Sequence, residues 1–278
     1  MRSGAHTGQN GAANGGAGPG PSSLRASGIT VGYGAAPVLE GLDFEVPAGR
    51  FTAVVGPNGC GKSTLVRTLA RTLRPGSGQV RLDGVPLARH RSKEIARRVA
   101  LLPQDPVVPD GVSVRGLVAR GRHPYHSVLR QRVPGDEEMI AAAMEATGVA
   151  ELAAEPVAGL SGGQRQRAWI AMILAQDTEF VLLDEPTSFL DLAHQIEVLK
   201  ICGRMREQGR SVVAVLHDLN QAARYADTLV VMHRGRIVAA GPPQEVLTTV
   251  LVEQVFGLRS QIVPDPQAGT PMVVPLAR

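Results

Sequence analysis

The chain has 278 residues, of which 44% are hydrophobic and 19% charged, a balance typical of a globular protein with a sizeable core. A net charge of +4 spread along the chain does not favour a nucleic-acid binder, in which Lys and Arg gather on one face. Two cysteines give no disulfide framework and fit a reducing compartment. We find no secretory signal and no apolar run near the roughly 18–20 residues that cross a bilayer. If the protein works at a membrane, other chains supply the spans.

Residues 1–22 consist mainly of Gly, Ala, Asn, Ser and Pro, a composition that buries too little surface to offset the entropy of ordering. We therefore expect this segment to be disordered and place the fold after it. Hydrophobic patterning and turn residues then predict the first elements. They are strands at Ile29–Tyr33, Leu42–Val46 and Phe51–Val55, a helix from Ser63 to about Leu73, and strands at Gln79–Leu82 and Val99–Leu102.

Between about residues 105 and 175, short helical patterns separated by Pro and Gly predict a mostly helical subdomain. Strands and helices then alternate, which predicts an α/β sheet with helices on both faces. We expect one domain over residues 23–260 and a C-terminal extension at 261–278 that packs on the domain or trails from it. The predicted elements of this part are helices at Val114–Arg120, Glu137–Thr147, Leu192–Glu207 and Leu219–Tyr225, a helix from Gly162, strands at Phe180–Leu183 and Ser211–Leu216, and a hairpin around Arg234 and Gly235.

A glycine-rich segment between the Phe51–Val55 strand and the next helix matches the P-loop pattern in the context that the pattern requires. Its glycines let backbone N–H groups turn towards phosphate oxygens, and the helix N-terminus adds its positive dipole end. Lys62 can reach the β- and γ-phosphates, and the Ser63 hydroxyl can ligate Mg²⁺. The loop predicts binding of a nucleoside triphosphate. Its residues are Gly56, Pro57, Asn58, Gly59, Cys60, Gly61, Lys62, Ser63 and Thr64.

Two acidic residues end the apolar strand Phe180–Leu183. Asp184 is well placed to hold Mg²⁺ through water, and Glu185 can orient and deprotonate the water that attacks the γ-phosphate. A strand that ends in a solvated acidic turn is common, so the pair gains its meaning from the P-loop upstream. The two motifs together predict a Mg²⁺-dependent hydrolase of a nucleoside triphosphate.

The segment that runs Leu160, Ser161, Gly162, Gly163 and Gln164 precedes an amphipathic helix. Ser161 can cap this helix, and the glycines bare its N-terminal amides for an anion. Here the chain resembles the ABC ATPase family, whose signature motif is this pentapeptide. The resemblance implies a P-loop cassette with a RecA-like mixed sheet core, an N-terminal antiparallel β part and a helical signature subdomain. It also implies that the signature binds the γ-phosphate held by the other subunit of a head-to-tail dimer.

Other residues match family motifs in the family's order. The resemblance implies that Tyr33 stacks on adenine. It implies that Gln104 senses Mg²⁺ and the membrane partner, and that His217 contacts the γ-phosphate. A histidine after a strand is more often structural, and its place just past the last core strand favours the functional role here.

The loop from Ser188 to Asp191 matches the family segment that crosses the dimer interface, although the family more often has Ala where Phe189 stands. The resemblance covers about residues 24–250. Translation-associated relatives carry two cassettes on one chain, and chromosome-maintenance relatives place a long coiled coil between P-loop and signature. A single cassette without a heptad run therefore favours the motor subunit of a membrane transporter.

The phrase from Gly121 to Tyr125, with Cys60 in the P-loop, is similar to the subfamily that serves ferric siderophore, haem and cobalamin importers. The resemblance implies transmembrane permease subunits, an indirect partnership with a substrate-binding protein, and a place on the cytoplasmic face of the bacterial membrane. A siderophore importer is expected first because that branch is the most populous. Cobalamin, haem and, more distantly, metal-ion importers are the alternatives. No nucleic-acid partner is expected.

A surface hypothesis concerns Val114, Leu117 and Val118. We expect them to form a small apolar face near Gln104 that docks a cytoplasmic helix of the permease. Charge reversal at Arg122, or Leu117→Asp, should then uncouple transport and spare basal hydrolysis.

Overall fold

The computed structural model describes residues 22–34, 36–108, 110–127 and 133–277. The segment predicted to be disordered, residues 1–22, lies outside this part except for Ser22. The strands are β1 (Leu24–Gly32), β2 (Pro37–Glu45), β3 (Phe51–Val55), β4 (Ser77–Leu82), β5 (Val85–Pro86), β6 (Val99–Leu102), β7 (Phe180–Leu183), β8 (Ser211–Val215), β9 (Thr228–His233), β10 (Arg236–Gly241), β11 (Ser260–Pro264) and β12 (Pro271–Pro275). The helices are α1 (Lys62–Leu69), α2 (Ser92–Ala96), α3 (Val114–Ala119), α4 (Asp136–Ala146), α5 (Gly162–Gln176), α6 (Leu192–Glu207), α7 (Leu219–Tyr225), α8 (Pro243–Val246) and α9 (Thr249–Phe256). None of these helices is long and apolar enough to cross a membrane.

The central sheet has the strand order β10-β9-β3-β8-β7-β6. Its inner pairs are parallel, and only the outer pair β9–β10 is antiparallel. Every residue of β3, β7 and β8 is buried, as expected for apolar strands covered by helices on both faces. Because β3, β7 and β8 are neighbours and parallel, the loops that follow them meet at one edge of the sheet.

A second, antiparallel sheet has the order β2-β1-β4-β5. It packs with α1 and one face of the central sheet around a common apolar cluster that includes Leu39, Val54 and Leu65. The helix α1 ends at Leu69, four residues before its predicted end. Arg71 there adopts a left-handed conformation (φ 58°), and its guanidinium donates to two backbone carbonyls of the β5–α2 connection.

The prediction that Val114, Leu117 and Val118 form a surface face that docks the permease is wrong. Val114, Leu117 and Val118 lie on α3 with none of their surface exposed, packed in the core that α3 shares with α4 and α5. Arg122 is also buried, and its Nε lies 2.8 Å from Oδ1 of Asp136. The apolar stripe of α3 faces this core, which accounts for the amphipathic pattern of the helix.

The C-terminal segment forms an antiparallel hairpin, β11–β12, that packs on α7. The side chain of Asn220 accepts the backbone N–H of Val273 at 2.7 Å and donates to its carbonyl at 3.2 Å. Arg224 on the same helix pairs with Asp265 at 3.0 Å. The hairpin therefore continues the structure of the domain instead of trailing from it.

Candidate functional site

The P-loop connects β3 to α1, and two of its glycines leave no room for a side chain. A β-carbon on Gly56 would lie 2.2 Å from the carbonyl oxygen of Met232, and one on Gly61 would lie 2.5 Å from Cδ2 of Leu39. Gly61 also has a φ of 102°, which L-residues rarely adopt. Close packing against β2 and β9 therefore fixes the path of the loop.

Lys62 lies inside the curve of this loop. Only 5% of its surface is exposed, and its Nζ donates to the carbonyl oxygens of Gly56 (2.8 Å) and Pro57 (3.0 Å). The loop thus wraps around its own ammonium group and holds it where phosphate oxygens would enter. Cys60 is buried beside Gly56, and burial raises the pKa of its thiol.

Asp184 follows β7 and faces the start of α1. Its Oδ2 accepts a hydrogen bond from Nε of Arg67 at 3.3 Å, whereas its buried Oδ1 has no partner among the described residues. Burial raises the pKa of this carboxyl, and the hydroxyl of Ser63 and the charge of Arg67 counter part of the rise. An unpartnered carboxylate oxygen beside a serine hydroxyl fits the oxygen ligand set that Mg²⁺ prefers.

Glu185 gathers three side chains on one oxygen. Its Oε2 lies 2.9 Å from Nε2 of Gln104, 2.9 Å from Oγ of Ser188 and 2.9 Å from Nε2 of His217. The residue has a φ of 55°, so the backbone turns sharply after Asp184. This turn sends the two consecutive carboxylates to different partners.

The partners of Glu185 decide its protonation. Burial alone raises the pKa of the carboxyl, but hydrogen bonds from His217 and Ser188 outweigh burial and lower the pKa below its ordinary value. The positive charge of Lys62 acts in the same direction. Glu185 is therefore ionised at neutral pH, as a general base must be.

An open cavity of 370 Å³ lies over the P-loop. Tyr33 borders it with 64% of its surface exposed, so the ring is free to meet a planar ligand. Gln104 and Glu185 border the same space. The other lining residues are Val38, Asn58, Gly59, Gly61, Lys62, Ser63 and Thr64.

The signature segment begins α5 and is not among the residues that line this cavity in the described part of the chain. Ser161 accepts the backbone N–H of Gln164 at 3.3 Å, and the Gln164 side chain accepts that of Ser161 at 3.0 Å. This reciprocal cap leaves the glycine amides at the helix N-terminus. Leu160 is buried beneath the segment. Asp191 caps α6 and accepts from His194.

The structure places other side chains at the site that the sequence analysis did not single out. Arg67 follows Ser63 by one helical turn, a spacing that could have indicated it. Gln166 of α5 donates to the carbonyl of Pro186 at 2.9 Å, and no local pattern predicts that contact. His194 packs against Gly163, which sequence spacing also does not indicate.

Comparison with known proteins gives a consistent result. Residues 39–188 match the family described as ABC transporter. The chain is 52% identical over 256 residues to the ferric enterobactin transport ATP-binding protein of Escherichia coli (strain K12), covering 92% of this chain and 94% of that protein. It is 45% identical over 258 residues to a hemin import ATP-binding protein of Nocardia farcinica (strain IFM 10152), covering 91% and 89%. A solved inward-facing structure, of a transporter assigned to the metal-chelate type of ABC transporter, gives a TM-score of 0.78 at 28% identity and covers 92% of this chain and 98% of that chain.

Proposed function

The chain belongs to the ABC transporter family as an ATP-binding subunit, and we propose that it powers an importer of ferric siderophores. As a member it is an ATPase coupled to transport across a membrane. The observation that supports ATP hydrolysis in this proposal is the convergence of Gln104, Ser188 and His217 on Glu185, at the border of the P-loop cavity. Such an arrangement suits the hydrolysis of a bound triphosphate.

ATP would bind with adenine against Tyr33 and its phosphates in the P-loop. Lys62 would exchange its two carbonyl partners for phosphate oxygens, which keeps the ammonium hydrogen-bonded throughout. Ser63, Asp184 and Gln104 would hold Mg²⁺. When bound, this ion neutralises the charge of the β- and γ-phosphates.

Glu185 would accept the proton of the attacking water. Its lowered pKa keeps it ionised, and hydrogen bonds from Gln104, Ser188 and His217 fix the carboxylate in position. Catalysis then consists mainly of positioning and charge stabilisation around the γ-phosphate. Once ATP occupies the cavity, Nε2 of His217 would turn from Glu185 to that phosphate, and Gln104 and Ser188 would continue to hold the carboxylate.

The signature segment supports a second proposal about assembly. Ser161, Gly162 and Gly163 lie at the N-terminus of α5 and are not among the described residues that line the P-loop cavity of their own chain. In a head-to-tail dimer of two copies they would close over the ATP of the partner, with Asp191 at the interface. Permease subunits would bind this dimer at the cytoplasmic face of the membrane, and a substrate-binding protein would deliver the cargo to them.

The cargo assignment depends on the relatives, because nothing in the ATP site would touch a siderophore. Proteins named for ferric enterobactin, achromobactin and petrobactin are 52%, 49% and 49% identical to the chain. A haem importer is the second candidate, favoured by hemin import relatives at 42–45% identity. Cobalamin and metal-ion importers stay as more distant alternatives.

Uptake of radiolabelled ferric siderophore tests the proposal in a strain from which the gene is deleted. Uptake should collapse, and the wild-type gene should restore it whereas Glu185→Gln should not. Restoration by Glu185→Gln would contradict the role of this carboxylate. Unchanged iron uptake with reduced haem uptake would move the cargo assignment to haem.

A further inference from the structure

The signature glycines are held against the Asp191 loop by His194, in the first turn of α6. A β-carbon on Gly163 would lie 2.9 Å from Cδ2, 3.0 Å from Cγ and 3.2 Å from Nε2 of His194. The imidazole therefore fills the space that any larger residue at position 163 would need. Gly163 itself is buried in the second position of α5.

The other edge of the imidazole is fixed by Asp191. Nδ1 of His194 lies 2.7 Å from Oδ1 of Asp191, and the same oxygen accepts the backbone N–H of His194 at 2.9 Å. The backbone bond caps α6, and the ring bond sets the orientation of the imidazole. A displacement of Asp191 would therefore carry the ring with it.

Asp191 ends a short loop that begins at Glu185. At the start of this loop Ser188 donates to Glu185 at 2.9 Å, and Gln166 of the signature helix donates to the Pro186 carbonyl at 2.9 Å. The loop thus contacts the carboxylate of the ATP site through Ser188 and contacts α5 through the Pro186 carbonyl. His194, which follows this loop in the chain, is in contact with the signature glycine Gly163.

We propose that His194 is a positioning residue that links the ATP site of its own chain to the signature loop, and through that loop to the ATP held by a second copy. The inference rests on the proposed head-to-tail dimer, in which Glu185 serves one ATP and Gly163 of the same chain the other. Close-packed contacts transmit displacements because no void absorbs them. Loss of the His194 ring should therefore slow hydrolysis in the site of the partner.

Mixed dimers of the full-length chain test this direction. Two differently tagged copies are purified through both tags with ATP and Mg²⁺, and single-turnover phosphate release is measured. Glu185→Gln in one copy inactivates the ATP site that contains this residue, so phosphate release then reports the site that contains Glu185 of the other copy. When Glu185→Gln and His194→Ala are on the same copy, the active site is completed by the altered signature loop of that copy. Phosphate release should then slow at least fivefold. With the changes on different copies, release should equal that of a dimer carrying Glu185→Gln alone.

Slower release only when the two changes are on different copies would show that His194 acts on the ATP site of its own chain. Equal slowing in both mixed dimers would indicate a general structural effect. Either result overturns the proposal. Ser161→Arg in place of His194→Ala is the matched control, and it should slow only the same-copy dimer. If Ser161→Arg does not slow the same-copy dimer selectively, the result contradicts the head-to-tail arrangement and therefore also the inference. If Ser161→Arg acts as expected and His194→Ala has no effect, the result contradicts the inference alone.

His194→Asn separates the ring from its hydrogen bond. Asn places a donor near the position of Nδ1 and can keep the bond to Asp191, but it has no ring to fill the space at Gly163. Release from the same-copy dimer should stay as slow as with His194→Ala. Normal release with Asn would overturn the role of the ring contact.

Discussion

Nε2 of His217 lies 2.9 Å from Oε2 of Glu185, so a residue just past the end of β8 meets a residue just past the end of β7. Gln104, which follows β6, donates to the same oxygen at 2.9 Å. Three neighbouring parallel strands thus deliver three polar side chains to one point. The geometry of the sheet, and not proximity in sequence, assembles the site.

Glu185→Gln should abolish turnover while ATP still binds. Gln is nearly the same size and can keep hydrogen bonds with its neighbours, but it cannot accept the proton of water. Steady-state hydrolysis should fall by about 100-fold or more, with little change in equilibrium binding of ATP. The variant should also accumulate a dimer in ATP, which size-exclusion chromatography detects. A variant that keeps half of the wild-type rate would exclude Glu185 as the base.

His217→Ala should shift the acid limb of the pH–rate profile to higher pH. Burial raises the pKa of Glu185, and hydrogen bonds from His217 and Ser188 reverse the rise. In the native protein the pKa of Glu185 therefore lies below its ordinary value. The stability that the charged carboxylate contributes is fully present above the unfolded-state pKa and is lost as the pH falls through the folded-state pKa. Without His217 the folded-state pKa of Glu185 rises. Ser188→Ala should shift the limb in the same direction by less, and an unmoved limb in both variants would contradict this account.

Leu117→Asp should unfold the domain instead of uncoupling transport. The Leu117 side chain is fully buried between helices, and an unpaired carboxylate there should cost more than about 4 kcal/mol of stability. Chemical unfolding monitored by circular dichroism measures the loss. Val107→Asp is the control, because Val107 is 86% exposed and should tolerate the change within about 0.5 kcal/mol. A folded Leu117→Asp variant that hydrolyses ATP without transport would restore the surface hypothesis.

Neither cysteine should react with iodoacetamide in the native protein. Burial raises the pKa of Cys60 above its ordinary value and that of Cys202 to about 12, so both are protonated and covered near neutral pH. Mass spectrometry should detect no adduct within the time that free thiol is consumed, and two adducts in denaturant. Rapid native labelling at Cys60 would show that the P-loop opens more readily than its packing indicates.

Much of the fold follows from local sequence. The α/β prediction is confirmed. The predicted bounds of β7, α6 and α7 coincide with the structure, because apolar runs and the caps Asp191 and Asp218 mark them. The end of α1 was misplaced because the conformation of Arg71 depends on carbonyls of a later connection. The sequence leaves open whether the C-terminal extension packs on the domain or trails from it, because the side chain of Asn220 recognises a distant backbone segment.

The candidate site divides in the same way. The P-loop is one continuous segment, so its spacing alone indicates its geometry. Arg67 beside Asp184, and His194 against Gly163, are contacts between elements far apart in the chain. Helical spacing from Ser63 can indicate Arg67 itself. No periodicity indicates its pairing with Asp184 or the contact of His194 with Gly163, and only the packing of α1 and α6 against their neighbours reveals these pairs.

The position of β3 has a consequence for synthesis on the ribosome. Val54 pairs with Val215 on one side and Val230 on the other, and the Gly56 turn packs against Met232. A nascent chain that has made the P-loop lacks both flanking strands until most of the protein has been translated. Non-local pairing of this kind forms late. The growing chain therefore acquires a competent nucleotide pocket only near the end of translation, and truncated products carry the P-loop sequence without the ability to consume ATP.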